Sequence, residues 1–122
     1  MDAFLAYLAA GLVAAWGVAH AIPTRQVVAG FEPITADNRR VLQQEWLAEA
    51  FTMWGIAATT IAVTLADGAD AAAWAYRTLA ALLVALAVLT AATGGRTPVI
   101  WFKICPVLLT TSAALLFAAS VV

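Results

Sequence analysis

Four apolar runs dominate this sequence: Ala3–Ile22, Trp46–Ala66, Ala71–Ala92 and Val99–Val121. A helix needs about 20 apolar residues to cross the hydrocarbon core of a bilayer, and each run reaches that length. A membrane barrel would instead show segments of about ten residues that alternate apolar and polar. These runs do not alternate, so each reads as a helix. The expected fold is all-α and integral to the membrane. It is an antiparallel, up-down-up-down four-helix transmembrane bundle, with spans at about 3–22, 46–66, 71–92 and 99–121 in one domain over residues 1–122.

Composition narrows the function classes. Only 11% of the 122 residues are charged, against 65% hydrophobic. A soluble domain carries about 25% charged residues. A globular cytoplasmic enzyme and a disordered chain are therefore both disfavoured. The net charge of −1 leaves no basic footprint, so no nucleic-acid partner is expected. The single cysteine excludes an internal disulfide framework and any cysteine-rich metal site.

The first run also carries Ala19-His20-Ala21, which has the form of a signal-peptidase site. No Lys or Arg precedes the run, and it is long for a signal core, so it is expected to be a retained span.

The links are uneven. Residues 23–45 form a long polar connection, the segment at Asp67-Gly68-Ala69-Asp70 a tight turn, and Thr93-Gly94-Gly95-Arg96-Thr97-Pro98 a short loop. Short links force antiparallel neighbours. Arg25, Arg39, Arg40, Arg96 and Lys103 lie at or near the first and third links. The positive-inside rule puts those links in the cytoplasm and both termini outside, giving a multi-pass protein of the cell membrane. Trp46, Trp74 and Trp101 sit near span ends, where amphipathic rings anchor. Alanine supplies 31 residues, and close helix contact in lipid needs small side chains. Gly11-x-x-x-Ala15 and Ala10-x-x-x-Ala14 on the first helix fit that need, chiefly as packing within one bundle.

The polar residues gather at one end. Glu45 and Glu49 are four apart, so a helix puts both carboxylates on one face. That helix is expected to begin before the bilayer, capped by Thr35 or Asp37. Glu49 lies inside a span, where a carboxylate is costly and faces the bundle interior or a wet cavity. It reads either as an acid/base group or as half of a buried ion pair with Lys103. His20, the sole histidine, reads either as a proton shuttle near that mouth or as a helix-end side chain bonded to the last carbonyls. His20, Glu45 and Glu49 form the candidate catalytic cluster. Arg40, Trp54, Arg96 and Lys103 are candidate ligand-binding residues around it. No metal site is expected, because the three match no zinc spacing, and no cofactor is implied. Cys105 reads as a packed thiol, and Pro106 removes the helical donor of the Phe102 carbonyl. Arg77 is expected to reach outward toward Asp70 or Asp67. Residues 23–34 read as a connector or a lid, and Gly30 and Pro33 oppose a continuous helix there.

The layout, with Gly17-Val18-Ala19-His20 closing the first helix, is similar to that of DoxX-like small membrane proteins. The resemblance implies the four-helix architecture, and no residue role is carried over from it. Small multidrug transporters share the length and four spans but place a carboxylate in the first, which this chain lacks.

Three functions fit the sequence. One is a membrane protein that binds a lipophilic small molecule, or transforms it by acid/base chemistry, at a polar pocket in the cytoplasmic end of the bundle. The second is a non-catalytic accessory or assembly subunit. The third is a proton-coupled small transporter. The expected partners are membrane lipids, such a lipophilic molecule, and either further copies of the chain or a membrane partner subunit.

Overall fold

The computed structural model describes residues 2–66 and 68–122; Met1 and Asp67 lie outside the described residues, and with Asp67 part of the expected second turn. Five α-helices follow in order: α1 (Ala3–Ala21), α2 (Thr24–Ala29), α3 (Ala36–Leu65), α4 (Ala69–Ala92) and α5 (Ile100–Val121). A single 3₁₀ turn, Gly94–Arg96, joins α4 to α5. No strand occurs among the described residues. The four long helices are each long and apolar enough to cross a membrane.

Local chemistry sets the helix ends. The Asp2 carboxylate accepts from the backbone N–H groups of Phe4 and Leu5 and so opens α1. Thr35 does the same for α3 by accepting from the N–H of Asn38. That cap places the start of α3 ten residues before Trp46. At 1.5 Å per residue its 30 residues run about 45 Å, well beyond the ~30 Å apolar core of a bilayer. The extra length is the polar segment with Asp37, Arg39, Arg40 and Glu45. Between Pro23 and Ile34 the chain forms the short α2 and then turns at Gly30, so the connector is partly helical.

Consecutive long helices run in opposite directions. The end of α1 meets α3 at His20 and Trp46, and the start of α1 meets the end of α5 through the Asp2 N–H and the Ala119 carbonyl, 3.3 Å apart. Thr64 and Tyr76 share a 2.6 Å hydrogen bond that ties α3 to α4 beside their junction. The Arg77 guanidinium donates to the Ser120 hydroxyl and carbonyl and lies 5.5 Å from the Trp74 ring. Arg77 is exposed and bonds to the end of α5; it forms no ion pair with Asp70, and Asp67 lies outside the described residues.

The core is built from Val13, Met53, Tyr76, Leu83, Leu109 and Leu116, all fully buried. Alanines at 6, 9, 72 and 119 are buried in the same cluster. The helices α1 and α3 approach closely at Gly17. A Cβ there would lie 2.6 Å from Trp54 Nε1 and 3.2 Å from Met53 Cβ. Gly11, by contrast, has open space where its side chain would be. The Gly11–Ala15 pair thus faces outward, and Gly17 is the small residue that lets α1 meet α3.

Candidate functional site

The site lies where α1 ends and α5 begins. His20 is the last buried residue of α1. Its position follows from the same helix face as Val13 and Gly17, which turns seven and three residues earlier into α3. Trp46 and Glu49 come from α3, one turn apart.

His20 and Trp46 hold each other by three contacts. The Trp46 indole N–H donates to the His20 carbonyl at 2.8 Å, which satisfies one of the orphan carbonyls at the end of α1. The His20 ring stacks on the Trp46 ring, with centroids 4.0 Å apart and planes 14° apart. Its Nε2 lies 3.2 Å from the Trp46 carbonyl and 3.4 Å from Glu49 Oε2. A backbone carbonyl only accepts, and an ionised carboxylate only accepts. Nε2 must therefore carry a proton to make both contacts. In the neutral ring the lone pair is left on Nδ1. That atom has no protein partner among the described residues, and it is not sealed from its surroundings.

Beside this pair is a cavity of about 730 Å³. All five helices contribute to its wall. Trp16 and His20 come from α1, Val27 from α2, Glu49 from α3, Thr90 from α4 and Cys105 from α5. Trp46, Trp101 and Phe102 complete an aromatic lining. The Trp16 indole N–H donates to Cys105 Sγ at 3.1 Å, so the buried thiol is held as a packing group. Gly94 shapes the opposite wall: a Cβ there would come within 3.0 Å of the Phe102 ring, so glycine lets the 3₁₀ turn close onto it. A second, smaller space of about 470 Å³ lies between α2 and α3 and shares Val27, Trp46, Glu49 and Phe102 with the first. Its wall includes Glu45.

Of the candidate catalytic residues, the structure brings His20 and Glu49 into direct contact. Glu45 is exposed and reaches only the smaller space. The four candidate ligand-binding residues stand away from the main cavity. Arg40 is exposed and pairs with Asp37 at 2.9 Å. Trp54 faces α1, where its indole N–H donates to the Ala14 carbonyl at 3.3 Å and its ring packs on Gly17. Arg96 and Lys103 are exposed and form no ion pair with a described residue. Lys103 is thus not the partner of Glu49, because its place on α5 turns outward while Cys105 turns in. Arg39 pairs with Glu32 across the connector. No group of three or more His, Cys, Asp or Glu that could hold a metal ion occurs among the described residues.

Trp16, Trp101, Phe102 and Cys105 are lining residues that the sequence reading did not assign to a site. A usable signal was present. Trp16 and His20 are four apart, Trp46 and Glu49 three apart, and Phe102 and Cys105 three apart. Each spacing puts an aromatic ring and a chemically active group on one helix face.

The arrangement can do two things chemically. It can hold an apolar body against aromatic walls, and it can exchange a proton through the His20–Glu49 pair, since an imidazole beside a carboxylate is a general acid/base unit. Compared with known protein families, curated proteins and solved structures, the chain matches none of them.

Proposed function

We propose that this protein is a multi-pass membrane protein that binds a lipophilic small molecule in the 730 Å³ cavity, with His20 and Glu49 as its acid/base pair. One observation carries the reading: the only histidine and the only acidic residue within the apolar runs meet at the wall of an aromatic-lined space. Ligand cavities are commonly about 300–1,000 Å³, mostly apolar, with few polar groups that fix orientation. The outer surface supports the membrane setting. Phe4, Phe51, Trp74, Val107 and Phe117 are all exposed, on faces that water would penalise and lipid tails would not. The basic residues of the first and third links support a cytoplasmic location for the cavity end.

The pair favours proton transfer or isomerisation of the bound molecule over hydrolysis, since no activated nucleophile stands beside it. Thr90→Trp tests the reading, because it places a large ring in the cavity wall, obstructs the space and leaves both members of the pair in place. Native mass spectrometry of the protein released from its own membranes should show a bound small molecule in the wild type and its loss in the variant. Equal occupancy of the two, or an empty wild type, would remove the support for a ligand site.

A second reading has its own observation. The two-fold tie between His20 and Trp46 joins α1 to α3 whatever the cavity holds. On that reading the pair is a structural clasp in an accessory subunit. Glu49→Gln keeps an acceptor for Nε2, so a clasp would survive it. Proton exchange with a ligand would not.

A further inference from the structure

We propose that the ligand of this cavity is a lipophilic organic cation, a molecule with an apolar body and an amine or quaternary onium centre. The inference rests on the cavity being a ligand site, as argued above, and adds the charge of what it holds.

The lining is asymmetric in charge. Glu49 is its one carboxylate, and neither lysine nor arginine contributes to it. The cationic side chains at this end stand elsewhere. Arg39 and Arg40 are neutralised by Glu32 and Asp37. Arg25, Arg96 and Lys103 are exposed, so their fields are screened by the aqueous phase. The Glu49 side chain is only 30% exposed, and its one ionisable partner is His20. Glu49 thus stands at the edge of an apolar space with no lysine or arginine beside it. A carboxylate so placed is stabilised by a counter-charge.

The walls fit such a charge. Trp16, Trp46, Trp101 and Phe102 all contribute to the lining. Indole faces attract cations through their negative quadrupole, and aromatic enclosures are a general solution for onium groups. His20 also belongs to the lining, and its Nδ1 has no protein partner among the described residues. An anion would meet the Glu49 carboxylate and no compensating donor of positive charge.

Three probes of similar aromatic body separate the possibilities: tetraphenylphosphonium, tetraphenylborate and the neutral triphenylphosphine oxide. Binding is read by equilibrium dialysis with the full chain in zwitterionic-lipid nanodiscs, against empty nanodiscs. The expected result is saturable phosphonium binding at least about tenfold tighter than that of either other probe. Glu49→Gln should erase the preference, and Trp101→Leu, at an exposed position, should weaken phosphonium several-fold more than the oxide. Oxide or borate bound as tightly as phosphonium overturns the cation proposal and leaves the cavity as a ligand site. No saturable binding of any probe overturns both. Should Glu49→Gln fail to fold, unchanged phosphonium affinity in Trp101→Leu overturns the proposal on its own.

Discussion

Single residues decide how α1 and α3 meet. Gly17 is the clearest case, because its missing side chain is the space that the Trp54 ring and the Met53 side chain occupy. Gly17→Ala must displace Trp54 and break its bond to the Ala14 carbonyl. Overpacking of this kind costs about 1–3 kcal/mol, which outweighs the ~1 kcal/mol that alanine gains over glycine inside a helix. Gly11→Ala meets nothing and should be neutral or slightly stabilising. Unfolding of both variants in mild detergent checks the contrast; equal stabilities would contradict the packing described. The consequence reaches the site, since Gly17 and His20 share a helix face and a shift at one moves the other.

At the scale of elements, the spans were legible because lipid demands long apolar runs and little else in a chain this small produces them. The α3 cap was legible as one of two candidates, Thr35 or Asp37, and the Thr35 hydroxyl is the one that accepts from the Asn38 N–H. Its removal is a clean element-scale test. Thr35→Ala should lower stability by about 1 kcal/mol and fray the polar arm of α3, read as faster amide exchange over residues 36–45. The partner of Glu49 was not legible. Lys103, Arg40 and His20 all lay within its plausible reach, and the choice among them depends on the register between helices. That register is set by Gly17 against Met53 and Trp54, a contact between residues far apart in sequence. Trp54 misled for the same reason: its depth in α3 was readable, but the face it presents to α1 was not. The tryptophans near span ends read as interfacial anchors, yet Trp46 and Trp101 also line the cavity.

For the whole molecule, polarity is divided between two ends. One end holds the His20–Glu49 pair, the cavity and most of the cationic residues. The other end holds the Thr64–Tyr76 and Arg77–Ser120 bonds, which join α3 to α4 and α4 to α5. That division suits a bundle fastened at one end and able to receive a molecule at the other. The orientation proposed from the arginines is testable by impermeant thiol labelling. A Cys105→Ala, Asp70→Cys protein should react from outside the cell; reaction only from the cytoplasm would reverse the topology. The central claim is narrower: His20, on the cavity wall, is fastened through Nε2 and leaves Nδ1 without a protein partner among the described residues. The sole histidine makes this directly measurable, because ¹⁵N-histidine labelling yields ring signals from one residue. Solid-state NMR of the protein in lipid should show the neutral ring protonated on Nε2, with the Nδ1 resonance moving when a protonated lipophilic primary amine is added. A ring protonated on Nδ1, or an Nδ1 resonance unmoved by saturating amine, would contradict the account.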